Sequence, residues 1–430
     1  MSRSFSFALH MPHWPKSFGQ EPPGKPSERV KAILKKLGNP EAKLPPIVHV
    51  GGTKGKGSTI AFLRTMCEAA GYKVHAYTSP HLDRFNERIV LAGHEIDDAM
   101  LYEIIEETRI ACGDMPIGVF DATTAASMLA FARVPADIMF MEMGLGGAFD
   151  ATNFIDNPLL TILTTLSYDH MEYMGNTLES IAAFEAGILK PEVPCVVSYQ
   201  HPDVWPVLEQ KANETNSPIY AYGRHWLARK TAEGMLFADN HGEVKLPLPS
   251  LLGAHQILNA GNAIAAISLM HDFEIAPEHI IRGLMQTHWK GRLERISAPS
   301  LPVECELWFD GGHNMAAAQA VSIFVREHWR DKPFYLIFGT SLDKDVVSML
   351  APFTDVTAGI YSVMGKSEPK NYTAEQIAEL ARPVVSVIPC DSIRDALREI
   401  AHHANGPFRA LVFGSLYLWL EANDKYTRSE

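Results

Sequence analysis

The chain has 430 residues, 47% of them hydrophobic and 20% charged, and carries a formal net charge of −12. That length predicts two or three domains, and the acidic balance argues against a nucleic-acid or anionic-membrane partner. No apolar run approaches the roughly 18 residues of a membrane span, residues 1–19 lack a signal-peptide core, and the five scattered cysteines contain no CxxC, so free thiols in a cytoplasmic protein without a zinc site are expected.

Residues 1–26, rich in Pro, Ser and Gly, read as irregular, and Ser27 as the N-cap of an amphipathic helix reaching Leu37. Ile47-Val48-His49-Val50 is a short apolar strand. It runs into Gly51-Gly52-Thr53-Lys54-Gly55-Lys56-Gly57-Ser58-Thr59, with a helix expected over Ile60–Ala70. Glycines there let backbone amides curl round phosphate oxygens, and a helix N-terminus adds positive potential. Gly52, Thr53, Gly55, Lys56, Gly57, Ser58 and Thr59 are the candidate nucleotide contacts, with Lys56 reaching the outer phosphates and Ser58 or Thr59 holding Mg²⁺. The common pattern is G-x-x-x-x-G-K-[ST]; here Val50 takes the first glycine position and Gly57 separates Lys56 from Ser58.

A strand over Val74–Tyr77 leads to Thr78-Ser79-Pro80-His81, and Asp83–Arg88 reads as a charged loop. Helices are expected over Asp97–Ala111 and Asp121–Ala132, then a strand over Ile138–Met141 ending at Glu142 and followed by Gly144-Leu145-Gly146-Gly147. A strand over Leu159–Leu166 runs towards Asp169-His170, a helix covers Leu178–Ala186, and a strand covers Cys195–Ser198. Such alternation implies a mostly parallel sheet, whose strand ends are where open α/β sheets place ligands. Ser58, Ser79 and Glu142 offer the hard oxygens that Mg²⁺ prefers, and His170 can bind or orient a second divalent ion. Between Pro218 and Pro249 helical periodicity fades, which suggests a small antiparallel excursion; helices resume over His255–His271 and Pro277–Gln286.

A turn-prone basic stretch over 291–297, containing Arg292, reads as a linker between a domain over 1–290 and a second over 298–430. The second repeats the alternation: strands ending at Phe309, over Tyr335–Phe338, near Ile360 and Val384 and over Leu411–Phe413, with helices from Met315 and Asp345, over Ile393–His403 and at the end. The fold expected is α/β, a P-loop-type mostly parallel sheet domain with a small antiparallel excursion, plus a C-terminal Rossmann-like α/β domain. Phe309-Asp310-Gly311-Gly312-His313-Asn314 occupies a strand-to-helix turn, where Asp310 and His313 can bind metal, phosphate-linked water or a substrate amine. A site between two hinged domains excludes water from a reactive intermediate on closure.

The segments GTKGKGST (52–59), TSPHLDRFNERI (78–89), MEMGLGGAFDATN (141–153), YDHMEYMGNTLESIA (168–182), LLGAHQILNA (251–260), KGRLE (290–294), DGGHN (310–314), LDKD (342–345) and GSLYL (414–418) resemble those of the folylpolyglutamate synthase and dihydrofolate synthase family, within the Mur ligase superfamily. The resemblance implies an ATP- and Mg²⁺-dependent ligase that joins L-glutamate to dihydropteroate, a reduced folate or both through an acyl phosphate, with a monovalent cation as a further cofactor. It implies a monomer whose partners are small molecules. Lys56 matches the residue that neutralises the phosphates, Ser58, Ser79, Glu142 and His170 match metal-holding positions, and Asn259 and Arg292 match ATP contacts. Asp310 and His313 match the second domain's catalytic pair, and Ser415 a serine near the incoming glutamate. Ser79, Pro80 and His81 match a mobile loop bordering the pteridine.

Three positions depart from the family pattern. Lys54 stands where the family commonly has Asn, adding a cation near the phosphates, and Ala148 stands at an arginine position. Glu185 replaces a lysine whose carbamate holds the second metal, so Glu185 is the candidate substitute carboxylate, on an arm about 3–4 Å shorter. The rival readings are a Mur-like ligase for another acid and amino acid, and a nucleotide-binding relative with impaired catalysis.

Overall fold

A computed structural model of the chain describes residues 25–298, 301–365 and 370–423. The N-terminal stretch read as irregular lies outside these up to residue 24. Two compact units emerge, one of residues to Ser250 with Gln256–His288, the other of Leu251–His255 with Trp289 onward.

In the first unit, β1 (Ile47–Gly51), β2 (Val74–Tyr77), β3 (Ile89–Leu91), β4 (His94–Glu95), β5 (Ile138–Glu142), β6 (Leu160–Leu163), β7 (Cys195–Val197) and β8 (Ile219–Ala221) form one sheet, ordered β4-β3-β2-β5-β1-β6-β7-β8. From β2 to β8 the neighbours run parallel, while β3 and β4 form an antiparallel edge. Strands β1, β2, β5 and β6 are buried throughout, as parallel strands covered on both faces must be, and so read as unbroken apolar runs. The helix Val119–Arg133 is buried at every residue from Asp121 to Phe131, and its alanines and threonines allow close packing. Against this core sits the helix Pro26–Lys36, through Val30, Ile33 and Leu34. Arg29 Nε bonds Asp121 Oδ2 at 2.6 Å.

β9 (Trp226–Thr231), β10 (Gly234–Asp239) and β11 (Gly242–Leu246) make the separate antiparallel sheet expected in this region. β8, expected within that excursion, instead joins the parallel sheet beside β7. Other boundaries also move. The first helix starts at Pro26 with Lys25 as its cap, because proline suits the first helical turn and Ser27 then lies inside it. Phe85–Arg88 is a 3-10 turn rather than plain loop, and the helix Trp205–Thr215 had no counterpart in the sequence reading.

The second unit's sheet contains β12 (Glu294–Ile296), β13 (Glu306–Asp310), β14 (Phe334–Phe338), β15 (Gly359–Ser362), β16 (Val387–Pro389) and β17 (Arg409–Phe413), ordered β12-β13-β17-β14-β15-β16. Only the β12–β13 pairing is antiparallel, so the stretch read as a linker contributes an edge strand. The strand expected near Val384 lies at β16. Val384 and Val385 instead close the helix Ala374–Ala381, both amides donating to Ala381 O at 2.9 Å. Among the described residues no helix is long and apolar enough to cross a membrane.

At the N-terminal end of β13, Glu306 accepts from Arg409 Nε at 2.8 Å, Lys332 Nζ at 2.8 Å and Trp308 Nε1 at 3.0 Å. Burial alone would raise this carboxyl, but the three donors outweigh it and hold its pKa at about 2, below the ordinary 4.5. A depressed folded pKa adds stability above the unfolded value, lost as pH falls through the folded one. In urea unfolding, Glu306→Gln should cost about 1–3 kcal/mol at neutral pH. The gap to wild type should then close as pH falls from 4.5 towards 2; a pH-independent gap would contradict this account.

Candidate functional site

The phosphate loop is held by bonds just beyond the end of the parallel β1–β6 ladder, one of them in an isolated antiparallel bridge between Lys54 and Thr165. Thr164 N and Oγ1 both donate to Gly51 O at 2.9 Å, Lys54 N donates to Thr165 O at 3.1 Å, and Ser167 N donates to Thr53 Oγ1 at 3.1 Å. Gly52 and Gly55 sit at φ +114° and +91°, where a side chain is strained. A Cβ on Gly55 would also collide with Asn259 Oδ1, so Asn259 packs directly on the loop. The following helix spans Lys56–Ala69 and starts four residues earlier than the sequence reading had it. Lys56, Gly57 and Ser58 therefore open its first turn, where amides lack helical acceptors. The Thr59 amide, the first with a helical acceptor, donates to Gly55 O at 2.8 Å. Lys56 Nζ curls back to Gly52 O at 2.6 Å. Thr59 Oγ1 is buried without a partner.

Next to this loop, β5 ends at Glu142, whose backbone neighbour across the ladder is Val50. Glu142 is 5% exposed, and its Oε2 accepts from Ser79 N at 3.0 Å. Ser79-Pro80 is a cis peptide. Beyond it Glu87 Oε2 accepts from Leu82 N at 2.8 Å and Asp83 N at 3.4 Å, and Asn86 Nδ2 donates to Ile96 O at 2.8 Å and Asp98 Oδ1 at 2.9 Å. Arg88 Nε donates to His81 Nδ1 at 2.9 Å. Burial, with Arg88, lowers the His81 pKa to about 4, so its imidazole is neutral. The RFNER residues thus set the shape of the loop that carries Ser79, Pro80 and His81.

His170 lies beyond β6, exposed, at φ +49°, and its amide donates to Asp169 Oδ1 at 3.0 Å. Among the described residues no cluster of three or more His, Cys, Asp or Glu is assembled to hold a metal. One buried carboxylate with hydroxyls nearby is a partial shell. That suits Mg²⁺, which keeps waters and phosphate oxygens among its ligands.

Glu185 is 3% exposed and accepts from Gly52 N at 3.3 Å. Burial raises its pKa; Lys56 and the Gly52 and Gly147 amides oppose the rise. The loop after Glu142 packs backbone to backbone on this region, since a Cβ on Gly147 would lie 2.6 Å from Glu185 O, and one on Gly187 would overlap Ala148. Asp150, quoted in a motif but given no role from sequence, organises the same loop. Its Oδ2 accepts from Leu145 N at 2.7 Å, and its Oδ1 from Thr152 N at 2.8 Å and Thr152 Oγ1 at 2.5 Å. Thr152 Oγ1 in turn meets His49 Nε2 at 2.8 Å. Burial drives His49 down to about 3, so the ring is neutral.

In the second unit, Asp310 ends β13. Its Oδ1 accepts from Gly312 N at 2.8 Å and its Oδ2 from Leu293 N at 2.9 Å. Burial raises its pKa and the Arg292 charge opposes the rise. His313 Nδ1 meets Gly311 O at 3.1 Å. Gly414 N donates to Gly312 O at 3.1 Å, joining this turn to the one after β17, where Ser415 Oγ accepts from Tyr417 N at 3.2 Å. Arg292, Asp310, His313 and Ser415 are therefore gathered at one sheet edge, as the loop residues, Ser79, Glu142, Glu185 and Asn259 are in the first unit.

Comparison with known proteins matches residues 50–267 to the Mur ligase middle domain and residues 291–416 to the Mur ligase glutamate ligase domain. The dihydrofolate synthase/folylpolyglutamate synthase of Bacillus subtilis is 32% identical over 348 residues, 77% of this chain and 79% of that one. The Escherichia coli FolC structure with DHPP and ADP superposes with a TM-score of 0.85 at 28% identity, covering 96% of this chain and 94% of that one. A bifunctional folylpolyglutamate synthase/dihydrofolate synthase with Mn, AMPPNP and L-glutamate bound gives 0.83 at 25% identity, covering 97% and 95%.

Gly55 and Gly71 both have positive φ, +91° and +92°, but only Gly55 has a neighbour to strike. Alanine at either should cost about 1–2 kcal/mol in thermal or urea unfolding. Gly55→Ala should also weaken nucleotide binding by calorimetry at least about tenfold, while Gly71→Ala leaves it intact. Normal binding by Gly55→Ala would contradict the packing described.

Proposed function

Because the chain belongs to the folylpolyglutamate synthase/dihydrofolate synthase family of Mur ligases, we propose that it is an ATP-dependent ligase joining the amine of L-glutamate to the carboxylate of dihydropteroate, a reduced folate or both. The observation that carries this reading is the phosphate loop, with Lys56 and an open helix turn, set beside the Glu142–Ser79 pair at one strand-end edge. The reaction converts the substrate carboxylate to an acyl phosphate with the γ-phosphoryl group of ATP, and the amine then expels phosphate through a tetrahedral intermediate. Bound Mg²⁺ offsets the charge gathering on the phosphate oxygens.

Lys56 and the first-turn amides hold the phosphates, and Gly52, Thr53, Gly55 and Gly57 give the loop its curl. Ser58, Ser79, Glu142 and His170 would hold metal, and Thr59 and Asn259 line the nucleotide side; Arg292 is the second unit's match to an ATP-contacting position. Asp310 fixes the turn that presents His313, and Ser415 meets the incoming glutamate. Ser79, Pro80 and His81 border the pterin. Preorganised donors of this kind stabilise charge as it develops, without reorganisation during the reaction. Glu185 is the carboxyl group behind the loop, taking the place of the family's carbamate through water or a small backbone shift; the rival reading is a weakened second metal site. We read the domains as an ATP-binding one over 1–290 and a glutamate-ligase one over 298–430, in a cytoplasmic monomer whose free cysteines suit a reducing compartment.

Phosphate release with ATP, glutamate and dihydropteroate, compared with tetrahydrofolate, separates the two acceptor activities. Turnover with neither would favour a catalytically impaired nucleotide-binding relative, the reading to which Ala148 and Glu185 lend weight. Lys56→Ala should lower kcat/KM at least about 100-fold. Glu185→Gln should lower the rate at least about tenfold and raise the Mg²⁺ needed for half-maximal rate. An unchanged rate and metal requirement in Glu185→Gln would remove Glu185 from the mechanism.

A further inference from the structure

Lys54, already noted as a cation added near the phosphates, has no contact assigned to it above, and the structure singles it out. Its backbone is pinned between two anchors, with Thr53 hooked to Ser167 on one side and its own amide bonded to Thr165 O on the other. Its side chain is half-buried, and its ammonium has no hydrogen-bond acceptor among the described residues. Lys56 differs, since it already donates to Gly52 O. Burial brings the Lys54 pKa down to about 8 even though Asp169 pulls the other way. Asp169 is itself engaged by the His170 amide.

A half-buried ammonium with three donors and no protein acceptor has capacity left for an anion beside the one charge, Asp169, that already faces it. The N-terminus of the helix Lys56–Ala69, two residues on, is where an oxyanion is drawn.

We propose that Lys54 is a second cationic ligand of this loop, its ammonium meeting an oxygen of the outer phosphates of a bound nucleoside triphosphate. The assignment rests on reading Gly51–Thr59 as the phosphate loop. It makes Lys54 a determinant of triphosphate over diphosphate affinity.

Isothermal titration of wild type, Lys54→Met, Lys54→Gln and Lys54→Arg with Mg-AMPPNP and Mg-ADP tests it, alongside thermal unfolding without nucleotide. Lys54→Met and Lys54→Gln should bind the triphosphate analogue at least about tenfold more weakly, which is about 1.4 kcal/mol. They should lose at least threefold less affinity for ADP, with Lys54→Arg close to wild type and the nucleotide-free melting temperatures alike. Equal losses for both nucleotides, or no loss in a folded neutral variant, would overturn the proposal. If wild type bound neither nucleotide, the phosphate-loop reading itself would fail.

Discussion

The first unit's site depends on the register in which β1 and β5 pair, Val50 opposite Glu142. That one parallel ladder sets a buried carboxylate level with the point where β1 leaves the sheet as glycines. Side chains alternate along a strand, so a slip of one residue would turn Glu142 to the opposite face. The register is secured by burial, because every residue of both strands is enclosed. The segment after β6 adds the second constraint, since its bonds through Thr164, Thr165 and Ser167 determine where Gly51 to Lys54 lie.

The departures at Ala148 and Glu185 are neighbours in space, not two separate losses. Gly147 and Gly187 allow their segments to touch backbone to backbone. Segments packed this closely share their space, so a change at position 148 or 185 bears on the other. Glu185 has found partners in its setting, the Gly52 amide and the Lys56 charge. A carboxylate this enclosed is expensive to keep without a task, because burial penalises its ionised form.

Much of this was legible in the sequence. The apolar runs at Ile47, Val74 and Ile138 announced central parallel strands, and the glycine loop announced the turn after β1. What was missed has physical reasons. β3 and β4 are three and two residues long, too short to show a period. β8 looks like an antiparallel strand locally and is drawn into the parallel sheet only by its pairing with β7. The helix start at Lys56 was hidden by Gly57, a poor helix former that the first turn tolerates. Asp150 could have been found by asking which acid satisfies the amides of a glycine-rich loop. The opposite holds for Glu87 and Asn86, whose motif suggested a substrate loop and whose bonds hold that loop's own backbone.

The central claim is that the phosphate loop and its neighbouring carboxylate present a phosphoryl group to the substrate's carboxylate, and do not merely bind nucleotide. The most direct measurement follows ¹⁸O from the labelled carboxylate of the pterin acceptor into the products of a single turnover with ATP and glutamate. Acyl-phosphate chemistry predicts that one labelled oxygen leaves with inorganic phosphate for each amide bond formed. Amide formation with unlabelled phosphate would contradict it.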